Sequence, residues 1–293
     1  MNVRSTLQTG WHGTLDLVLD AKEASTYVQR CHAQAPLKFQ RPFYPEGPTV
    51  CHGVMLHTAG GIAGGDRLST TIQLGESAHG LLTTAAATKV YRSSAEPSVQ
   101  TTTMTLKQDA RLEWFPQESI LFNGAQYHQH TQVTLEPGAI WMGWELIRLG
   151  RSARGEHFDY GDWRSHTEIW RAHQPSNVPL WIDRQFINGG TDMLHQLHGL
   201  SGCPVVGSFA CVGISIESTV RDHIRTQWQN QYPHLSASLQ SSVIGVTRLR
   251  EGIVCRYRGS STAEARSLFM TAWDVVRKEI LSLVPHRPRT WSI

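Results

Sequence analysis

Three acidic residues in apolar or glycine-rich surroundings are the first candidates for chemistry in this sequence. Asp66 follows two glycine pairs, Glu118 lies in the stretch W-F-P-Q-E-S-I-L-F, and Glu145 lies in W-M-G-W-E-L-I-R. A carboxylate among apolar side chains must be paired with a cation or hydrated, because moving a bare charge out of water is costly. Two interpretations stay open for these acids: internal ion pairs, or ligands for a cation in a hydrated passage.

The ion-pair interpretation has specific candidate partners in the sequence. Glu145 would pair with Arg148 or Arg151, and Asp66 would pair with Lys89. A buried carboxylate that has such a partner needs no further function. The two interpretations are distinguished by the neighbours that the folded chain gives each acid.

Fifteen histidines raise the question of metal binding. His128 and His130 are two residues apart, so on a β-strand their side chains face the same side. His195 and His198 would share one face of a helical turn that ends at Gly199. The first pair has no third ligand close in sequence, the second has Asp192 one turn earlier, and no H-E-x-x-H or C-x-x-C occurs. The prediction is that no stable metal site exists and that these four histidines make transient contacts at most.

A metal-dependent hydrolase is the alternative interpretation of the same histidines. It would be a β-sandwich enzyme that uses His128 with His130, or His195 with His198. No G-x-S-x-G motif occurs, and no serine or cysteine near a histidine has the context of a nucleophile. The sequence therefore predicts a chain without catalytic residues.

A glycine-rich stretch, H-T-A-G-G-I-A-G-G-D-R-L, contains Asp66. Its glycines are Gly60, Gly61, Gly64 and Gly65. Glycine adopts backbone conformations that other residues avoid, so the stretch predicts a shaped loop between two β-strands. The spacing does not match G-x-G-x-x-G, and no G-x-x-x-x-G-K-[ST] occurs, which argues against these two kinds of nucleotide site.

Short segments with apolar, β-branched or aromatic residues at alternate positions dominate the first two thirds of the chain. The predicted strands are 11–19, 37–43, 51–56, 68–74, 80–91, 98–107, 110–115, 128–135 and 139–149. Consecutive β-branched residues, as in 100–106, disfavour a helix and pack well on a pleated sheet. The predicted fold class is mainly β, with layered or sandwich-like antiparallel and mixed strands.

About two α-helices are predicted in the C-terminal third. The first covers 218–232, where Val220, Ile224 and Trp228 are four residues apart. The second covers about 262–284 and begins with the capping box S-T-A-E. A hairpin of two strands is predicted between them, over 243–249 and 253–258, and residues 285–293 are predicted to form an extended tail.

The composition describes an ordinary globular chain. It has 293 residues and a formal net charge of +3, with scattered basic residues, so the sequence predicts no nucleic-acid partner. Five widely spaced cysteines indicate reduced thiols. The sequence shows no signal peptide and no run long enough to span a membrane, so we expect a cytoplasmic protein without a membrane partner. Without a linker or repeat, residues 1–293 are predicted to form a single domain.

Five ordered stretches resemble a known family. They are the GG-x-x-GGD loop at 60–66, L-L-T-T-A-A-A-T-K-V-Y-R-S at 81–93, W-F-P-Q-E-S-I-L-F at 114–122, W-E-L-I-R-L-G-R at 144–151 and P-R-T-W at 288–291. Together they resemble the UreD family of urease accessory proteins, also called UreH, over nearly the whole chain. The resemblance implies a β-helical or sandwich-like stacking of strands with two attached helices.

The same resemblance implies a function. A chain of this family is expected to be a non-catalytic urease maturation chaperone that binds UreF and, through UreF, the GTPase UreG. The assembly, dimeric through UreF, is expected to deliver nickel to apo-urease, so nickel would be bound transiently and no cofactor stably. Asp66, Glu118 and Glu145 are the candidates for a nickel path.

Other residues of the family-like stretches are candidates for ion pairs or for partner contacts. The signature and ion-pair candidates are Lys89, Tyr91, Arg92 and Arg148. Tryptophan and arginine dominate protein interfaces, which makes a second group candidates for contact with partners. The partner-interface candidates are Trp144, Arg151, Arg289 and Trp291.

Overall fold

Two β-sheets pack face to face, and the chain passes repeatedly from one to the other. The computed structural model describes residues 10–94, 96–233 and 242–291. The strands of the seven-stranded sheet are β1 (His12–Lys22), β2 (Ser25–Gln34), β5 (Arg67–Leu74), β8 (Ser98–Leu106), β11 (Gln126–Leu135), β13 (Asp162–Arg171) and β14 (Val178–Asn188). The strands of the ten-stranded sheet are β3 (Leu37–Phe39), β4 (Val50–His57), β6 (His79–Thr84), β7 (Thr88–Val90), β9 (Arg111–Phe115), β10 (Ser119–Leu121), β12 (Ile140–Leu149), β15 (Val205–Val212), β16 (Val243–Leu249) and β17 (Gly252–Gly259).

The central strands form a β-helix. β4 leads to β5, β6 to β8, β9 to β11 and β12 to β13, so each coil contributes strands to both sheets. Neighbouring coils pair in parallel, as in β5 with β8 and β4 with β6. Antiparallel strands extend both sheets, among them β2 and β14 in one and β3, β15 and β17 in the other. The mainly β, layered and β-helical fold class with mixed strands is confirmed.

Five strands have no counterpart among the sequence-predicted elements: β2, β10, β13, β14 and β15. β2 is largely exposed, so little apolar alternation marks it. The side chains that β13 turns inward include Ser165 and Thr167, which hides its buried face from a hydrophobicity pattern. β15 is buried along its whole length and therefore shows no alternation either.

Two α-helices cover one part of the ten-stranded sheet, as predicted. They are α1 (Ser218–Gln231) and α2 (Thr262–Glu279), which pack on each other, and α2 also contacts β12, β15 and β17. The Ser261 side chain caps α2 by accepting a 3.2 Å hydrogen bond from Glu264 N. Within the part of the chain that the structure describes, no helix is both long and apolar enough to cross a membrane.

The C-terminal end of the chain differs from its prediction. α2 ends at Glu279, so the predicted end at 284 was too far. The tail folds back onto its own chain: Trp291 is 6% exposed, and its ring centroid lies 4.8 Å from that of Trp144 and 5.1 Å from that of Trp273. Burial of these aromatic surfaces explains why residues 285–291 are not a free, extended tail; residues 292–293 lie outside the described part.

A buried network of charges fixes α2 on the sheet. The guanidinium of Arg277, on α2, is fully buried and lies 2.9 Å from Glu113 of β9 and 2.8 Å from Glu46. His79 Nε2 lies 2.7 Å from the same Glu113 carboxylate. Burial would raise the pKa of Glu113, but the hydrogen bond from His79 and the charge of Arg277 outweigh it and lower this pKa to about 2. Each charge is thus compensated inside the core.

Candidate functional site

Two rows of polar side chains cross the otherwise apolar inner face of the seven-stranded sheet. The register of four parallel strands and of the antiparallel edge strand β14 aligns the first row as Thr70, Thr102, Thr131, Thr167 and Asp183. The second row, beside it, contains Gln100, Gln129 and Ser165. Because neighbouring strands are about 4.8 Å apart, the first row extends over about 19 Å.

A cavity of about 110 Å³ lies between these rows and the ten-stranded sheet. From the ten-stranded sheet, its polar wall includes His57, Thr84, Glu145 and Ser208. Such a volume holds several water molecules, since each needs only about 10–15 Å³ of this measure. The described residues that line it include two carboxylates, Glu145 and Asp183, and no lysine or arginine. The lining therefore favours water and cations.

Glu145 is the most unusual group in this cavity. It lies on β12 and accepts hydrogen bonds from Ser165 Oγ, which is 2.9 Å from each carboxylate oxygen. Burial raises its pKa to about 7; the Ser165 bonds oppose this shift, the charge of Asp183 adds to it, and Arg256 opposes it. Neither predicted ion-pair partner reaches it: Arg148 donates to Ser152 and Ser260, and Arg151 pairs with Glu156. Glu145 therefore fits the passage interpretation better than the ion-pair one.

Asp183, beside Glu145, is held by the opposite sheet. Arg256 of β17 donates to both of its carboxylate oxygens, at 2.7 and 2.8 Å, and to Ser208 Oγ at 2.8 Å. This bidentate contact joins the two sheets at the edge strand β14. Asp183 was missed in the sequence because β14 was not recognised as a strand.

His57 contributes a ring nitrogen where β4 ends. Its Nδ1 lies 3.2 Å from Ala59 O, whereas Nε2 is buried and has no hydrogen-bond partner among the described residues. A buried imidazole nitrogen without a partner, in a residue that lines a polar cavity, is suited to bind water or a cation. The sequence identifies His57 only as the start of the glycine-rich loop.

The glycine-rich loop joins β4 of one sheet to β5 of the other, which confirms the predicted link between two strands. Its backbone packs against β7, because Ile62 N donates to Lys89 O at 2.7 Å. A Cβ at Gly61 would lie 2.6 Å from the same oxygen, and Gly65 has a φ of 86° that favours glycine. The loop thus fixes the crossing between the sheets.

Asp66 closes this loop instead of binding Lys89. Its two carboxylate oxygens accept hydrogen bonds from Trp11 N and Ala63 N, each at 2.8 Å, and it is 7% exposed. It does not line the cavity. Asp66 therefore has a structural role, because two backbone amides satisfy its carboxylate. The predicted ion pair with Lys89 does not form, and nothing in the position of Asp66 supports the predicted place on a nickel path.

Replacing Asp66 with alanine is expected to destabilise the protein by about 2 kcal/mol, because two part-buried backbone hydrogen bonds to a charged carboxylate are lost. Asp66→Asn keeps one oxygen acceptor and is expected to cost less. Urea unfolding followed by tryptophan fluorescence measures both. A loss below about 0.5 kcal/mol for Asp66→Ala would contradict this structural role.

The other signature residues also have local partners. Glu118 forms an ion pair with Arg266 of α2 and does not line the cavity. Tyr91 OH donates to Gly60 O at 2.9 Å. Within the described ranges, no acid lies at ion-pair distance from Lys89, Arg92 or Arg148, so the ion-pair role predicted for these cations is not observed.

The four partner-interface candidates separate into two classes. Trp144 and Trp291 are 5% and 6% exposed and pack in the core below α2, so burial prevents contact with a partner. Arg151 is more accessible; it pairs with Glu156 and lies 4.1 Å above the ring of Phe122. Arg289 is exposed. Only the two arginines remain candidates for an interface.

The two histidine pairs that the sequence singles out have different surroundings in the structure. His128 and His130 lie on one face of β11, but His128 Nε2 pairs with Asp162 at 2.8 Å. His195 and His198 are both exposed and follow a short 3-10 turn instead of sharing a helix. Neither pair joins a nucleophile, so the hydrolase interpretation gains no support from their geometry.

Comparisons with known proteins agree along the whole chain. A family model described as UreD urease accessory protein matches residues 12–292. The urease accessory protein UreD of Nostoc punctiforme is 47% identical over 293 residues, which is 100% of both chains. UreD of another Nostoc species is 48% identical over 292 residues, again 100% of both. UreD 2 of Brucella anthropi is 35% identical over 289 residues, or 98% of this chain and 100% of the relative. This chain belongs to the UreD family of urease accessory proteins.

Proposed function

We propose that this protein serves urease maturation as a non-catalytic scaffold that conducts nickel ions through the cavity between its sheets. Membership of the family supports the role in maturation. The observation that carries the nickel path is Glu145, a carboxylate with a pKa of about 7 in a polar cavity whose described lining contains no cation. Nickel is the cargo in this proposal and not a resident cofactor.

The cavity chemistry suits passage better than storage. Hydroxyl and amide oxygens of the polar rows are neutral ligands that replace water around a cation without holding it strongly. Glu145 supplies a negative charge only when it is deprotonated, so its attraction is strongest above about pH 7. A site with few anionic ligands releases its ion readily, which transfer to another protein requires.

In this proposal, partner proteins supply GTP hydrolysis and contact with apo-urease. We infer that the chain binds UreF, that UreF binds the GTPase UreG, and that a dimeric assembly built through UreF contacts apo-urease. The absence of the two nucleotide-binding motifs from the sequence supports GTP hydrolysis by a partner. Exposed Arg289 and the more accessible Arg151 are the remaining candidates for these contacts.

The test is activation of purified apo-urease by nickel in the presence of this chain, UreF and UreG. Glu145→Gln keeps the shape of the side chain but removes the charge, so nickel incorporation is expected to slow roughly tenfold, equivalent to about 1.4 kcal/mol. Glu118→Gln is the matched control, because Glu118 pairs with Arg266 outside the cavity. The expected result is a normal rate for this control.

Complex assembly is measured in the same experiment by size-exclusion chromatography. Glu145→Gln is expected to assemble normally, because Glu145 faces the cavity and not the surface. Equal nickel incorporation by the wild type and Glu145→Gln would overturn the proposed path. A rate loss that accompanies failed assembly would show that the substitution acts on folding or docking.

A further inference from the structure

A second group of metal-ligating side chains lies on the outer face of the seven-stranded sheet. His130 of β11 and His166 of β13 are register partners on adjacent parallel strands. Their neighbours Gln129, Thr131 and Thr167 line the cavity, so the two histidines face away from it. One ligand atom from each of His130, His166 and Glu168 lies within 4.8 Å of the others.

The ligand atoms of these three side chains lie close enough together to bind one divalent cation after small side-chain movements. His166 Nε2 is 2.7 Å from Glu168 Oε1, and the two imidazole rings stack with centroids 5.1 Å apart. Ligand atoms bonded to one tetrahedrally coordinated ion at about 2.0–2.2 Å are about 3.3–3.6 Å apart, so the widest pair, at up to 4.8 Å, needs to close by up to about 1.5 Å. Rotation of exposed or half-buried side chains supplies such a shift.

The protein atoms alone do not give two ring nitrogens of this group a consistent set of hydrogen bonds. His130 Nε2 is buried and has no hydrogen-bond partner among the described residues. His166 Nε2 accepts a hydrogen bond from Arg184 Nε at 3.0 Å and also lies 2.7 Å from the Glu168 carboxylate. A single ring nitrogen cannot accept from the guanidinium and donate to the carboxylate at once. A cation bound to both the nitrogen and the carboxylate satisfies these two atoms once the Arg184 guanidinium turns away.

Arg184 is the group that competes with a cation here. Its guanidinium lies 3.7 Å from Glu168 Oε1, so it supplies positive charge where an ion would bind. Its side chain is 69% exposed, which lets it turn into water at little cost. We therefore expect a moderate affinity for a cation, and removal of the Arg184 side chain is expected to strengthen cation binding.

We propose that His130, His166 and Glu168 form a surface site for a borderline divalent transition ion such as Ni²⁺ or Zn²⁺. Two imidazoles and one carboxylate favour these ions over Mg²⁺ and Ca²⁺, which prefer oxygen ligands. Three protein ligands leave further coordination positions for water. The site is separate from the cavity and does not depend on the proposed passage.

The test measures Ni²⁺ binding to the full-length chain by calorimetry and equilibrium dialysis, with excess Mg²⁺ present. His130→Ala and His166→Ala are each expected to weaken one binding event at least tenfold. Arg184→Ala is expected to tighten the same event, because it removes the competing charge. His128→Ala is the matched control: His128 lies on the same face of β11 but pairs with Asp162.

Circular dichroism and thermal unfolding establish that each variant is folded. The proposal is supported if the two histidine variants lose the binding event and Arg184→Ala strengthens it. It is overturned if both histidine variants bind Ni²⁺ with the stoichiometry and affinity of the wild type. It is also overturned if Mg²⁺ displaces Ni²⁺ at equal concentration, or if His128→Ala causes the same loss.

Discussion

Arg277→Ala is expected to lower the free energy of unfolding by about 3–5 kcal/mol, because it leaves buried carboxylates without their cation. Arg277 is fully buried and contacts Glu113, which is 0% exposed, as well as Glu46. Chemical denaturation at pH 7, followed by circular dichroism, measures the loss. The same contacts position α2, so we expect the tryptophans packed below it to become more accessible to fluorescence quenchers.

Arg287→Ala is the matched control for this substitution. Arg287 pairs with Asp274, but its side chain is 51% exposed, so its loss is expected to cost less than about 1 kcal/mol. Equal effects of the two substitutions would contradict the importance of the buried network. Replacing Arg277 and Glu113 together with apolar residues should cost less than the sum of the single changes, because no charge of that pair is then left alone.

Glu145→Gln is expected to remove a pH dependence of stability that amounts to about 3 kcal/mol in the wild type. The pKa of Glu145 is about 7 in the folded protein, against an ordinary value of 4.5. The folded state therefore retains a proton that the unfolded chain releases, and stability falls as pH rises from 4.5 to 7. Above pH 7 the wild type has lost this stabilisation completely. The free energy of unfolding of Glu145→Gln, relative to that of the wild type, is therefore expected to be highest there.

Denaturant unfolding at several pH values between 4 and 8.5 measures this effect as the difference between variant and wild type. Glu96→Gln controls for the loss of one negative charge, since the side chain of Glu96 is 64% exposed. Identical slopes for the wild type and Glu145→Gln would show that Glu145 does not titrate near neutral pH. In the wild type alone, nickel transfer is expected to rise as the pH rises through about 7, because the carboxylate of folded Glu145 ionises there and the ionised form binds cations.

Tertiary neighbours explain why the predictions for the three acidic residues had different outcomes. The outcomes for Asp66, Glu118 and Glu145 differ, although all three looked alike in the sequence. Asp66 meets two backbone amides and Glu118 meets Arg266, whereas Glu145 accepts hydrogen bonds from Ser165 and is influenced by the charges of Asp183 and Arg256. Those neighbours come from distant parts of the chain, so no local pattern identifies them.

The sequence by itself determined the local features of this protein. Alternating apolar residues predicted most strands, the S-T-A-E stretch predicted the start of α2, and the glycine pairs predicted the loop between β4 and β5. Each of these depends on interactions within a few residues, where spacing alone sets the geometry. The family resemblance likewise depended on short motifs in order.

Only the tertiary structure decided where the polar groups meet. The threonine row, the contact of Arg256 with Asp183 and the cluster of His130 with His166 each join residues of different strands. Parallel pairing between coils aligns the threonines and the two histidines, and antiparallel pairing of β13 with β14 sets the position of Asp183. A shift of one position would turn each of these side chains to the opposite face. The register of distant strands, which no local pattern encodes, therefore created both the cavity and the outer histidine site.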